Sequence, residues 1–198
     1  EGARLPDYVD WAAEVIRRLG CGPVNLAGHS MGALIAAGVA VEHPGLLRRV
    51  AMLNGVYRRS PEARAAVLAR AEEILRGEGS IEAPLTRWFG EDDGAVRDRV
   101  AGWLHTVDPR GYAAAYRAFA EGDLAYADRL GDIRCPALVL TAGGDANSSP
   151  AMAEAMAASA PLGEAIVIAG HRHMVNLTAP EAVTQAMRRW LQRQEVTA

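Results

Sequence analysis

The 198-residue chain is the size of one ordinary domain, and with 50% hydrophobic and 23% charged residues it has the material for a packed core. That balance excludes a disordered or collagen-like chain, and a net charge of -3 offers no basic surface for nucleic acid. No apolar run nears the roughly 18 residues of a membrane span, so no membrane partner is expected. All 21 basic residues are arginine, which removes lysine-based Schiff-base and phosphate-loop chemistry. Cys21 and Cys135 are too few for a disulfide framework and fit a reducing, cytoplasmic compartment.

Residues 5–19 place Tyr8, Ala12, Val15, Ile16 and Leu19 at three- and four-residue spacing before Gly20, which predicts an amphipathic helix. A short strand follows over 23–28, then a small, apolar helix through GALIAAGVAVEH, then a buried strand over 49–54. This alternation predicts a parallel sheet. From Ser60 to Leu130 the pattern turns helical, with Ser60-Pro61 and Asp108-Pro109 as helix starts and Gly77 as a stop. Some seventy helical residues between two strands predict a cap set on the sheet. Its aromatic residues Trp88, Phe89 and Trp103 are expected in the cap core.

Strands return over 135–142 and 164–169, separated by a helix from Ser149-Pro150 with Met152, Ala155, Met156 and Ala160 on its apolar face. Thr178 and Glu181 suit a capping box for a last helix running through Trp190 and Leu191. The fold class is therefore α/β: a mostly parallel sheet flanked by helices, with a helical cap insertion. The expected division is core over 1–56, cap over 57–133 and core over 134–198.

Between the first strand and its helix stands Gly28-His29-Ser30-Met31-Gly32, a G-x-S-x-G. A serine on a tight strand-to-helix turn needs small neighbours and points its hydroxyl out of the sheet. Such a hydroxyl becomes nucleophilic only beside a base, usually a histidine oriented by a carboxylate. Of five histidines, His29 lies inside the turn, His43 ends the next helix and His105 belongs to the cap. His171 and His173, after the last strand, remain as bases, and Asp145 follows the third strand. No acid appears between Asn54 and Glu62, so position favours Asp145. No third and fourth ligand accompany His171 and His173, so neither a metal nor an organic cofactor is expected.

The chain order Ser30, Asp145, His173 and the segments LGCGPVNLAGHSMGALIAAGVAVEHPGLLRRVAMLN, CPALVLTAGGDANSSP and AGHRHMVNLTAPEAV resemble the α/β-hydrolase superfamily. In that family the histidine precedes an apolar residue and an N-L-x-x-P stretch. His173-Met174-Val175-Asn176-Leu177 matches, which implies His173 rather than His171. Leu85-Thr86-Arg87-Trp88-Phe89 and the segment TVDPRGYAAAYRAFAEGDLAYADRLGDIRCPALVL resemble the 3-oxoadipate enol-lactonase and carboxylesterase branch.

The resemblance implies a serine hydrolase of a small-molecule ester or lactone. Ser30 would be the nucleophile, His173 the base, Asp145 its orienter and the Met31 N–H an oxyanion donor. His29, Arg87 and Trp88 are candidate substrate contacts, with Arg87 or Arg117 suited to a substrate carboxylate. The same triad also fits a carbon–carbon bond hydrolase or a perhydrolase. Outside catalysis, a hydrolase-like small-ligand binding module or an inactive fragment fits the chain. The family's second oxyanion donor comes from a loop after an early strand, and no such segment precedes Ser30. With Glu1-Gly2 in place of an initiator methionine, the expectation is an N-terminally incomplete hydrolase.

Overall fold

The computed structural model describes residues 3–193; Glu1, Gly2 and 194–198 lie outside the described residues. In chain order the core opens with α1 (Leu5–Leu19), β1 (Val24–His29), α2 (Met31–Glu42) and β2 (Leu47–Leu53). Four helices follow before the next strand: α3 (Pro61–Leu75), α4 (Glu82–Trp88), α5 (Gly94–Thr106) and α6 (Pro109–Gly122). The chain returns through β3 (Ala137–Ala142), α7 (Pro150–Ser159), β4 (Gly163–Ile168), α8 (Val175–Thr178) and α9 (Pro180–Leu191). Among these residues no helix is long and apolar enough to cross a membrane.

The strands form one parallel sheet in the order β1-β2-β3-β4, with Val50 opposite Ala137 and Ala137 opposite Gly163. Alternation along the strands supplies two cores. Val50, Met52, Ala137 and Val139 pack with α1, α2 and α7 on one face. Ala51, Leu53, Leu138 and Leu140 pack with Val175, Val183, Ala186 and Trp190 on the other. Covered on both faces, β3 is buried along its whole length, whereas β1 alternates between half-buried and exposed positions.

Local signals account for several helix starts. Ser60, Asp108 and Ser149 each accept a hydrogen bond from a first-turn N–H, and a proline follows each of them. The predicted capping box at Thr178 and Glu181 does not form. Thr178 closes α8, α9 begins at Pro180 behind Ala179, and the Thr178 hydroxyl bonds His171 instead.

Two predicted faces are also rotated. In α1 the buried stripe is Leu5, Val9, Ala13 and Ile16, while Val15 and Leu19 are exposed. Gly38 in α2 makes room for that stripe, since a Cβ there would lie 2.3 Å from Val9 Cγ2. In α7 the buried set is Ala153, Met156, Ala157 and Ala160, and Ala155 faces solvent.

The helices α3 to α6 lie between β2 and β3, with α3 and α6 packed against one another. A buried ion cluster ties the start of α3 to the end of α6. Asp123 accepts from the Arg59 backbone N–H at 2.7 Å and from Arg64 Nε at 3.1 Å, and Arg59 stacks 4.4 Å over the Phe119 ring. Leu85, Phe89 and Val100 form a separate small core that Met174 and Leu177 join. Trp103 is 53% exposed and is no part of that core, because α5 buries only Val100 fully.

Candidate active site

The turn after β1 explains why this short motif folds as it does. Ser30 sits at φ 56°, ψ -117°, a region non-glycine residues seldom occupy and one that costs about 1–3 kcal/mol. Its N–H is held by Leu53 O at 2.8 Å, across to β2. A Cβ on Gly28 would stand 1.9 Å from Gly32 O, so that position must be glycine. Gly32 differs from the expectation, since a Cβ there meets nothing within 4 Å.

Ser30 Oγ lies 3.0 Å from His173 Nε2, and His173 Nδ1 lies 2.8 Å from Asp145 Oδ2. Residues 30, 145 and 173 come from three different connections, after β1, β3 and β4, and the parallel sheet brings these strand ends to one edge. His173 and Asp145 are buried, while Ser30 is half-buried beside a cavity of about 260 Å³. Met31 opens α2, so its N–H has no intrahelical acceptor and stands beside the serine at the positive end of the helix.

Electrostatics suit proton transfer. Burial alone would raise the Asp145 carboxyl, but hydrogen bonds from His173, Asn54 and the Asn147 N–H outweigh it and hold the group below the usual carboxylate value. The acid is therefore ionised at neutral pH and accepts from an N–H at Nδ1 of His173, which turns Nε2 towards Ser30. His29 behaves differently. Burial, reinforced by the neighbouring His173, lowers its pKa from 6.5 to about 4. Its Nε2 donates to the His173 carbonyl at 2.8 Å, and the two rings stand 5.0 Å apart.

The cavity is lined by His29, Met31, Arg87 and Trp88, and by Val67, Tyr112, Tyr116, Phe119 and Asn147. Trp88 lies 6.0 Å from the His173 ring. The cap helix that carries it is latched to the histidine loop, where Arg172 donates to Thr86 O at 2.7 Å and the Met174 N–H to Trp88 O at 3.4 Å. Arg87 has no acidic partner among the described residues, whereas Arg117 pairs with Glu72 and stays outside the cavity. His171 bonds Thr178, and His105 lines a different cavity with Ile74 and Leu104.

Sequence reasoning missed Asn54, Asn147 and the α6 wall. The α6 residues were within its reach, because Tyr112, Tyr116 and Phe119 fall on one helical face at four- and three-residue spacing. Their rings meet edge to face, with centroids 5.0 and 6.4 Å apart, and burial raises the Tyr112 phenol. Asn54 and Asn147 offered no periodic signal.

The chain is similar to known proteins. The model of the alpha/beta hydrolase family matches residues 2–186. The (E)-2-((N-methylformamido)methylene)succinate hydrolase of Acinetobacter baylyi is 56% identical over 192 residues, covering 96% of this chain and 73% of the relative. The 2-(acetamidomethylene)succinate hydrolase of Mesorhizobium japonicum is 29% identical, over 94% of this chain and 70% of that protein. A malate-bound thermophilic esterase from Thermogutta terrifontis superposes with a TM-score of 0.87 at 30% identity, over 97% of this chain and 73% of its own. The enol-lactonase of Burkholderia xenovorans LB400 gives 0.85 at 25% identity, over 98% and 75%. With a matching family model, a closely similar relative and a shared parallel sheet, the chain belongs to the alpha/beta hydrolase family and is a hydrolase.

Proposed function

We propose that this hydrolase cleaves the acyl–nitrogen bond of a small dicarboxylate bearing an amidomethylene group, with Ser30 as nucleophile. The observation that carries the reading is the Ser30–His173–Asp145 hydrogen-bond chain facing a cavity that also holds Arg87, which has no acidic partner among the described residues. Support for the substrate class comes from the two relatives named for amidomethylene succinates. A guanidinium without an acidic partner suits a substrate carboxylate. An adjoining compartment of about 320 Å³, lined by Arg59, Arg70 and Arg87, offers room for the second.

In this reading Ser30 Oγ attacks the acyl carbon while His173 Nε2 takes its proton, and the Met31 N–H faces the developing oxyanion. The carbon–nitrogen bond breaks as His173 returns the proton to nitrogen, releasing an enamine. Water, deprotonated by His173, then cleaves the acyl-serine to a carboxylic acid. Hydration of the enamine with loss of the amine leaves an aldehyde β to a carboxylate. The carbon–carbon bond to that carboxylate is then weak, and here the carbon–carbon cleavage set beside ester hydrolysis in the sequence reading enters. Neither relative's named substrate contains an ester. The ester or lactone reading is second, favoured by the esterase and enol-lactonase neighbours.

The test compares kcat/KM for an N-acylated 2-(aminomethylene)succinate with that for a neutral ester of equal size. The amide is expected to be the better substrate. Arg87→Ala should raise its KM by about 10- to 100-fold, the worth of a charged hydrogen bond, and change kcat little. Preference for the neutral ester, with a KM indifferent to Arg87, would overturn the assignment.

A further inference from the structure

Asn54 follows β2 and is fully buried, at φ 50°, a left-handed conformation that asparagine tolerates better than most residues. Its N–H donates to Leu140 O at 2.7 Å, and its carbonyl accepts from the Ser148 hydroxyl at 2.6 Å. The Thr141 hydroxyl donates to the Ser148 carbonyl at 2.6 Å and lies 3.4 Å from Asn54 Nδ2. The ends of β2 and β3 and the loop carrying Asp145 are thus joined around one residue.

The Asn54 amide also donates to Asp145 Oδ2 at 2.8 Å, the same oxygen that faces His173 Nδ1. The other carboxylate oxygen is occupied by the N–H groups of Asn147 at 2.8 Å and Ser148 at 3.1 Å. Two side chains, Asn54 and His173, therefore meet at Oδ2. Asn54 Oδ1 is buried with no partner among the described residues. A flipped amide would set that oxygen against the carboxylate, so the orientation is fixed by Asp145 at the expense of the amide's own acceptor.

We propose that Asn54 is a positioning residue, which aims Asp145 Oδ2 at His173 and withdraws part of its charge. The proposal rests on the Ser30–His173–Asp145 reading above. Around this pair the titratable and charged groups are His29 from β1, Arg87 from α4, and His171 and Arg172 beside His173. Among the described residues none of them hydrogen-bonds the carboxylate.

The experiment follows the rate of Ser30 phosphonylation by a fluorophosphonate against pH, in the wild type and two variants. Asn54→Gly suits the left-handed backbone and removes the donor. Asn54→Asp keeps the shape and sets a second carboxylate against the first. Labelling is expected to slow about tenfold or more in both. Its acid limb should move to higher pH in Asn54→Gly, because a carboxylate relieved of a donor holds the imidazolium more firmly, and less in Asn54→Asp, where the two buried carboxyls share one proton and Asp145 keeps a donor.

Thermal midpoints and the Ser30→Ala variant accompany the series. An acid limb that stays in place, with rates falling only as the folded fraction falls, makes Asn54 structural and overturns the proposal. Labelling that persists in Ser30→Ala overturns the nucleophile itself, and the positioning role with it.

Discussion

His29 should make the protein sensitive to acid in a defined window. Its pKa falls from 6.5 to about 4 on folding, because burial, and then the neighbouring His173, oppose the charged ring. The unfolded chain therefore takes up a proton near pH 6.5 that the native protein refuses until about pH 4. Stability rises with pH wherever the unfolded state binds more protons, so this contribution is complete above pH 6.5 and is lost as the pH falls towards 4. The loss amounts to roughly 2.5 kcal/mol between about pH 7.5 and about pH 4.5. His29→Gln retains an N–H donor for the His173 carbonyl and removes the titration. In guanidinium denaturation followed by tryptophan fluorescence, the wild type should lose that much more stability than the variant over this range. Titrating groups that do not interact with His29 are common to both proteins and cancel in the difference. Parallel stability–pH profiles for the two would show that folding does not shift the titration of His29.

Two further substitutions probe the frame that holds the site. Gly28→Ala drives a Cβ to 1.9 Å from a backbone oxygen and should cost more than about 3 kcal/mol, or prevent folding; Gly32→Ala, with open space around it, should stay within about 1 kcal/mol of wild type. Paired denaturation curves check this, and equal losses would contradict the geometry. Asp123→Ala strands the buried Arg59 guanidinium and should cost about 3–5 kcal/mol, with limited proteolysis cutting first between α3 and α6. A near-neutral change in denaturation midpoint would show that the cluster does not hold α3 and α6 together.

The sheet was legible because each strand is a short apolar run between turn signals. The serine's place was legible because strand, G-x-S-x-G and helix occur together in twenty residues. Helix starts that rest on one local bond, at Ser60, Asp108 and Ser149, could be read from sequence. Thr178 could not, because its hydroxyl is taken by His171 seven residues away, in the loop that brings His173 to the serine. Helix faces shifted where a partner helix bears on them, as where Gly38 makes room for the α1 stripe. Arg87 and Arg117 look alike in sequence, and only the fold gives one a glutamate and leaves the other facing the cavity. Asn54 was read as a strand end lacking an acid. Its hydrogen bond to Asp145 spans ninety-one positions, beyond the reach of any local pattern.

Activation of Ser30 by His173 and Asp145 is tested most directly by reacting the chain with a fluorophosphonate and mapping the modified peptide by mass spectrometry. One adduct is expected on Ser30, absent in Ser30→Ala and slowed by orders of magnitude in His173→Ala and Asp145→Asn. An adduct on another residue, or undiminished labelling of Ser30 without His173, would contradict it.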